Sequence, residues 1–232
     1  MNERKFYDLN VAFESDRAAI IRRAKELDLS GICLVHTYKC DLDLENYLKE
    51  IDKLRKMTDI DLISGVMLKG EEIEKTARKI RRKVDIILAL GGEYSINRIA
   101  CSSDYIDILS CPEKGRRDCG LDQVCCKEAK DHSTIIELNF NELLKLQGSK
   151  RIPELHMMKE LVRLCLKSGA PFIVNSGAGT IWELRGGREL SALSCVLGAG
   201  SYPSITANSE IPERIIMQNR QKKEMPLKGV QI

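Results

Sequence analysis

Residues 172–179 read Phe-Ile-Val-Asn-Ser-Gly-Ala-Gly, an apolar run that stops at a turn of small residues. Backbone N–H groups at Ser176, Gly177 and Ala178 could cradle a phosphate, since a nest of amides at a strand end is an anion site. A plain tight turn is the competing reading. The only tryptophan, Trp182, follows, and Arg185 and Arg188 flank a Gly-Gly pair. A second basic loop, Lys114-Gly-Arg116-Arg117, comes after Cys111-Pro112. Three cations on one short loop repel one another unless an anion joins them. No enclosed cofactor motif accompanies them, so the expected anion is polymeric. A third basic stretch, residues 78–83, lies on a helix leading into a strand and is most simply a solvated outer face.

Hydrolytic chemistry fits less well. A metal-dependent phosphoesterase needs several His and carboxylate ligands converging. This chain has three histidines, and of His36, His132 and His156 only His36 falls at an expected strand end. Asp8, Asp118 and Glu137 could hold magnesium, but scattered carboxylates are more simply partners of the basic residues. No metal is therefore expected on the chain, although a remnant site at Asp8, His36 and Glu137 stays open. No serine has the setting of a nucleophile elbow. The nine cysteines contain no Cys-x-x-Cys pair. Cys111, Cys119, Cys125, Cys126 and His132 are close in sequence but lack zinc spacing, so buried thiols in a reducing compartment are the expectation.

These groups must be positioned by something. Apolar, often β-branched runs recur at 6–11, 31–35, 61–67, 85–90, 106–110, 134–138 and 172–174. Helical periodicity separates them at 18–27, 44–57, 71–83, 93–101, 121–130, 155–167 and 188–197. Asp16 is placed to cap the first of these helices. A weak eighth strand is expected near 204–207, before a last helix over 211–220. Eight strand–helix units point to a closed parallel barrel, an α/β fold of TIM-like (β/α) type in one domain over 1–223, with a loose tail over 224–232. An open doubly wound sheet is the runner-up, but no strand carries a Gly-x-Gly-x-x-Gly fingerprint. In a barrel, function sits at the carboxyl ends of the strands, where both basic loops fall.

Bulk properties agree with an ordinary globular chain: 232 residues, 43% hydrophobic, 31% charged, net charge +3. No apolar run reaches membrane-span length and no signal-peptide core stands at the start, so a cytoplasmic protein without membrane contact is expected.

Several short pieces, taken in order, resemble one family. They are residues 6–11 (Phe-Tyr-Asp-Leu-Asn-Val), Gly91-Gly92 with Asn97-Arg98, residues 106–110, Arg116-Arg117-Asp118, Gly120-Leu-Asp-Gln-Val124, Asn175-Ser-Gly-Ala178, Trp182-Glu-Leu-Arg185 and Arg188-Glu-Leu190. Together they are similar to the thirty-kilodalton protein subunit family of ribonuclease P and MRP, whose archaeal members are ribonuclease P protein component 3. The resemblance implies a barrel related to the polymerase-and-histidinol-phosphatase (PHP) superfamily. That superfamily carries His-rich metal sites, whereas its strand-1 His-x-His position reads Asp8-Leu-Asn10 here. Where Gln123 stands, the family often has histidine.

The implied role is assistance to the ribonuclease P RNA, which itself cleaves precursor tRNA at the 5′ end. The implied partners are that RNA, protein component 2, the other protein subunits and precursor tRNA. No cofactor is expected on the chain itself, and magnesium belongs to the RNA-containing holoenzyme. The chain alone is expected to be inactive. Arg98, Lys114, Arg116, Arg117, Arg185 and Arg188 are expected to form one basic rim that meets RNA phosphates. The alternatives are a standalone metal-dependent phosphoesterase and a barrel that binds a small phosphorylated ligand at Ser176–Gly179.

Overall fold

The computed structural model describes residues 4–14 and 16–224. Residues 225–232, most of the expected loose tail, lie outside the described residues. Among those described, seven strands form one parallel sheet in sequence order: β1 (Tyr7–Ala12), β2 (Gly31–Thr37), β3 (Asp61–Leu68), β4 (Ile86–Leu90), β5 (Ile108–Ser110), β6 (Ile135–Asn139) and β7 (Phe172–Asn175). Each falls on an expected run. The sheet curls until Val11 bridges Ala178, just past the end of β7. The result is a nearly closed TIM-like barrel.

Helices α1 (Arg17–Glu26), α2 (Asp41–Arg55), α3 (Ile73–Ile80), α4 (Tyr94–Cys101) and α5 (Gln123–His132) alternate with the strands. They are followed by α6 (Phe140–Lys145), α7 (Arg151–Ser168), α8 (Gly187–Ser194), α9 (Ser201–Asn208) and α10 (Glu210–Glu224). Asp16 caps α1 as expected, accepting the Ala19 amide at 3.1 Å. The short α6 has no counterpart among the expected helices.

Both faces of a parallel barrel are buried, so its strands are apolar on both. One set of side chains fills the lumen: Leu9, Cys33, Val35, Ile63, Ile86, Leu88, Ile108, Ile135 and Ile173. The alternate set, including Ile32, Leu34, Leu62, Val66, Ile87, Leu109, Ile136 and Val174, packs outward against helical residues such as Ile20, Ala24, Leu44, Ile51, Ala77, Ile80 and Leu161. Gly65 is required in the lumen, because a β-carbon there would stand 2.3 Å from the Cys33 sulfur.

The expected eighth strand is not formed. Residues 204–207 belong to α9, and Asn208 at its end donates to the Val174 carbonyl at 2.5 Å. Ser204, Ala207 and Asn208 form the buried side of this helix, so a short apolar stretch read as a strand is an inward helix face.

At the amino end of the barrel, α10 is packed as a plug. Ile215 and Ile216 join the lumen cluster, and Asn219 donates to the Asp85 carbonyl and to Asp107, both at 2.9 Å. Asp85 accepts Lys223 at 2.6 Å, Arg55 at 2.6 Å and the Ser64 amide at 2.9 Å. Burial alone would raise the Asp85 carboxyl, but Lys223, Ser64 and Arg55 hold it down to about 2.

Candidate nucleic-acid interface

At the carboxyl end of the barrel, the seam between β1 and β7 is closed by side chains as well as backbone. Ala12 donates its amide to the Ala178 carbonyl at 2.8 Å. Deeper in the seam, the Leu9 amide is accepted by the side-chain oxygen of Asn175 at 2.8 Å, and the Ser176 amide by Asp8 at 3.2 Å. The pairing of β1 with β2 shifts register between Asp8 and Val11, the same stretch that meets Asn175 and Glu137. Glu137, fully buried on β6, collects the remaining donors. It accepts Asn10 at 2.9 Å, Asn175 at 2.6 Å and the Ser110 hydroxyl.

This constellation does not suit the metal that a PHP-like barrel implies. Asn10 and Asn175 turn amide N–H groups, not oxygens, toward Glu137, and the Asn175 orientation is locked by the Leu9 amide it accepts. Burial raises the Glu137 carboxyl, against the hydrogen bonds from Ser110, Asn175 and Asn10 that lower it. Burial likewise pushes Asp8 up to about 7, opposed by Ser176 and Asn10. His36 is turned to Asp43 at 2.8 Å and stacks on Tyr47, away from the Asp8–Glu137 seam. Among the described residues no group of three or more His, Cys, Asp or Glu side chains could hold a metal ion, the Cys111–His132 segment included. Of the nine thiols, all free, seven are buried; Cys40 and Cys195 are the exposed exceptions to the buried-thiol expectation.

The phosphate turn is corrected too. Ser176 and Ala178 are fully buried, and their amides serve internal acceptors. Ser176 donates to Asp8 at 3.2 Å and Ala178 to the Ser176 hydroxyl at 3.1 Å. The next two amides, Gly179 and Thr180, bind Glu183 at 2.7 and 3.0 Å. Of the expected nest, the Ser176 and Ala178 amides are thus spent inside the chain, and a carboxylate takes the two amides that follow it.

The six basic residues separate into three places. Lys114, Arg116 and Arg117 lie in the loop after β5, and Arg98 is on α4, next in sequence to the Asn97 that binds this loop. Arg98, Lys114 and Arg117 are exposed. Arg116 is not a free cation: it grips Asp118 through two bonds of 2.6 and 3.0 Å and donates to the Gly92 carbonyl at 3.2 Å. Arg185 donates to the Trp182 and Leu184 carbonyls at 2.7 and 2.9 Å and lies 5.5 Å from the centroid of the Phe140 ring. Arg188, exposed on α8, lines a cavity with Arg4 and Phe6, which precede β1. The expected single rim fails because the chain leaves the carboxyl end before α8 begins. Gly187 sits against Phe6, at the opposite end of β1, so closely that a β-carbon would stand 2.3 Å from its side chain.

A model of the family described as RNase P subunit p30 matches residues 5–224. The chain belongs to the RNase P subunit p30 family. It is 25% identical to ribonuclease P protein component 3 of Methanothermobacter thermautotrophicus, over 98% of this chain and 95% of that one. It is 28% identical to component 3 of Methanococcoides burtonii, over 100% and 95%. Among solved structures it is similar to a chain in a cryo-EM structure of archaeal ribonuclease P with mature tRNA, with a TM-score of 0.82, 28% identity and 97% of each chain covered.

In this p30-family chain three of the motif pieces, around Gly92 and Asn97, Arg116 to Asp118, and Gly120, meet in one knot. Asn97 accepts the Gly92 amide at 3.1 Å and donates to the carbonyls of Pro112 and Gly120 at 2.9 and 2.8 Å. Asp118 accepts the Gly120 amide at 2.9 Å while it holds Arg116. Gly120 has φ 75°, and a β-carbon there would stand 2.0 Å from the Pro112 carbonyl oxygen. The knot fixes the shape of the basic loop and leaves Lys114 and Arg117 outward. Asn97 and Gly120 were not among the expected site residues, and Asp118 was weighed only as a carboxylate that could hold magnesium. Their signal was present in the Gly-Gly, Asn-Arg and Arg-Arg-Asp pieces, but it concerns backbone shape and not charge. Gln123, at the histidine position, is an exposed residue at the start of α5.

Proposed function

We propose that this chain is a protein subunit of ribonuclease P that assists the RNA subunit in maturing the 5′ end of precursor tRNA. The match to the subunit family over residues 5–224 carries the reading. The geometry supports a way of working. Arg98, Lys114 and Arg117 stand exposed around a loop whose backbone is fixed by Asn97, Asp118 and Gly120. Fixed cations lose little entropy on meeting phosphates, and arginine meets them with two parallel hydrogen bonds. Arg116 acts through the loop it shapes. Arg185 meets RNA from a separate face of the barrel, whereas Arg188, next to Gly187 at the Phe6 end, stands apart from that surface.

In this reading the RNA performs the cleavage and magnesium serves the RNA-containing holoenzyme. The chain binds no cofactor and is inactive alone. The Asp8–Asn10–Glu137–Asn175 network supports that assignment, because its donors and acceptors are consumed in closing the barrel. The partners are ribonuclease P RNA, protein component 2, the remaining protein subunits and precursor tRNA, in the cytoplasm. No described helix is long and apolar enough to cross a membrane.

Reconstitution tests the proposal. Adding the chain to the RNA and remaining subunits should raise cleavage of precursor tRNA, and ribonuclease treatment of the assembled particle should abolish it. Cleavage by the RNA-free chain with Mg²⁺ or Mn²⁺, lost in Asp8→Ala, would establish the phosphoesterase alternative instead.

A further inference from the structure

Between Glu189 and Glu210 the chain runs for twenty residues without a charged side chain, although 31% of all its residues are charged. Such a run normally marks a buried element. Here it forms the outer layer made by α8, a π-helical turn at Cys195–Ala199, and α9. Val196 is 82% exposed and Tyr202 69% exposed. Ala192 and Cys195 are exposed beside them. Gly198 and Gly200, at φ 102° and 78°, have open space where a β-carbon would be, so they shape the turn rather than avoid a clash. A cavity of about 440 Å³ opens here, lined in part by Phe6, Ala192, Cys195 and Ile205. Its charged lining residues are Arg4 and Arg188.

We infer that this uncharged face is the docking site of a protein partner that places an apolar side chain in the cavity, next to an Asp or Glu that meets Arg4 and Arg188. The inference rests on the subunit role proposed above for the existence of such a partner, and adds the surface and its chemistry. RNA is a poor occupant, because phosphates demand many cations and residues 190–209 supply none. A second copy is also a poor occupant. In a two-fold contact both patches bring arginine and neither brings a carboxylate, so the cations would face one another unpaired. A protein with an apolar anchor and an acidic neighbour satisfies both parts of the site.

Binding of the full chain to labelled ribonuclease P protein component 2 tests this. Val196→Asp and Ala192→Arg place charge on exposed positions, and Arg188→Glu reverses the complementary charge. Each should keep the wild-type melting temperature and raise the Kd about 30-fold or more, the effect of removing an interface hot spot. Leu42→Asp, on α2 at a residue 67% exposed, should leave the Kd unchanged. Wild-type binding by all three patch variants overturns the inference and leaves the subunit reading intact. So does a dimer of the chain alone that Val196→Asp dissolves, which assigns the face to a second copy. Loss of RNA binding with component 2 binding retained also overturns it. If wild-type chain restores precursor-tRNA cleavage but does not bind component 2 at micromolar concentration, the docking inference falls alone. If it does neither, both fall.

Discussion

The side-chain oxygen of Asn175 accepts the backbone amide of Leu9 at 2.8 Å, supplying an acceptor that a carbonyl of a neighbouring strand supplies elsewhere in the sheet. Its nitrogen donates to Glu137 at 2.6 Å, so one residue serves two strands besides its own. Asn175→Ala leaves a buried amide and a buried carboxylate short of a partner. Each such loss costs about 1–3 kcal/mol. Urea unfolding should register a loss of that size or somewhat more.

Stability should fall as pH rises through neutrality. Burial pushes Asp8 up to about 7, and burial with Glu154 beside it raises Glu113 as well. Between the ordinary Asp value of 3.8 and about 7 the folded chain holds more protons than the unfolded one. The Asp8 contribution is therefore complete below the unfolded value and is lost on rising through the folded value. Asp85 works in the opposite sense. Held down to about 2, it adds stability above 3.8 that is lost as pH falls through 2. Melting temperatures should peak on the mildly acidic side and decline toward pH 8, and Asp8→Asn should flatten the decline. A melting temperature that rises from pH 5 to pH 8 would contradict this account.

Two ion pairs at the plugged end differ in weight. Asp85 is almost wholly buried among Arg55, Lys223 and Ser64. Asp85→Ala strands cations at that end and should cost about 3–5 kcal/mol. Asp61 pairs with Arg220 at 2.8 Å, but both side chains are about a third exposed. Asp61→Ala should cost about 0–1 kcal/mol. Chemical denaturation of the two variants side by side separates them.

The basic loop offers a comparison of charge with shape. Lys114→Ala and Arg117→Ala should each lower the salt slope of RNA binding by about 0.9 for a duplex contact or 0.7 for a single strand, at unchanged stability. Arg116→Ala should instead loosen the knot, visible as faster amide exchange at Gly120. Gly120→Ala, at φ 75° with a β-carbon driven into the Pro112 oxygen, should reduce RNA affinity without removing any charge. Gly115→Ala, at φ 72° but in open space, should disturb less.

The strands were legible because both of their faces are apolar, but their register, such as Tyr7 on Gly31 or Ile136 on Phe172, was not, since a run apolar on both faces fits more than one pairing. The basic loop was legible as charge. Its division was not, because charge does not say that Arg116 is spent on Asp118 while Arg117 is free to face outward. The turn at Ser176 was read as an empty nest because its internal acceptor, Asp8, is 168 residues away in sequence, and no local pattern joins the two. The eighth strand was read from a short apolar run too brief to distinguish strand from inward helix face. The separation of Arg188 from Lys114 depends on the path of residues 180–186 down the outside of the barrel, which no local pattern encodes.

The plug has a consequence for the order of events on the ribosome. Asn219 and Lys223 reach Asp85 and Asp107 across 112 to 138 residues of sequence. These ties cannot form until α10 has left the exit tunnel, by which time all seven strands have been synthesised. Until then Asp85 lacks Lys223 and the lumen residues lack Ile215 and Ile216. Closing so long a loop is slow relative to local pairing. A nascent chain stalled before α10 would therefore be open at the amino end, its lumen wetted, and suited to capture by a chaperone or protease. The ties from α10 thus close the amino end of the barrel only after all seven described strands have been made.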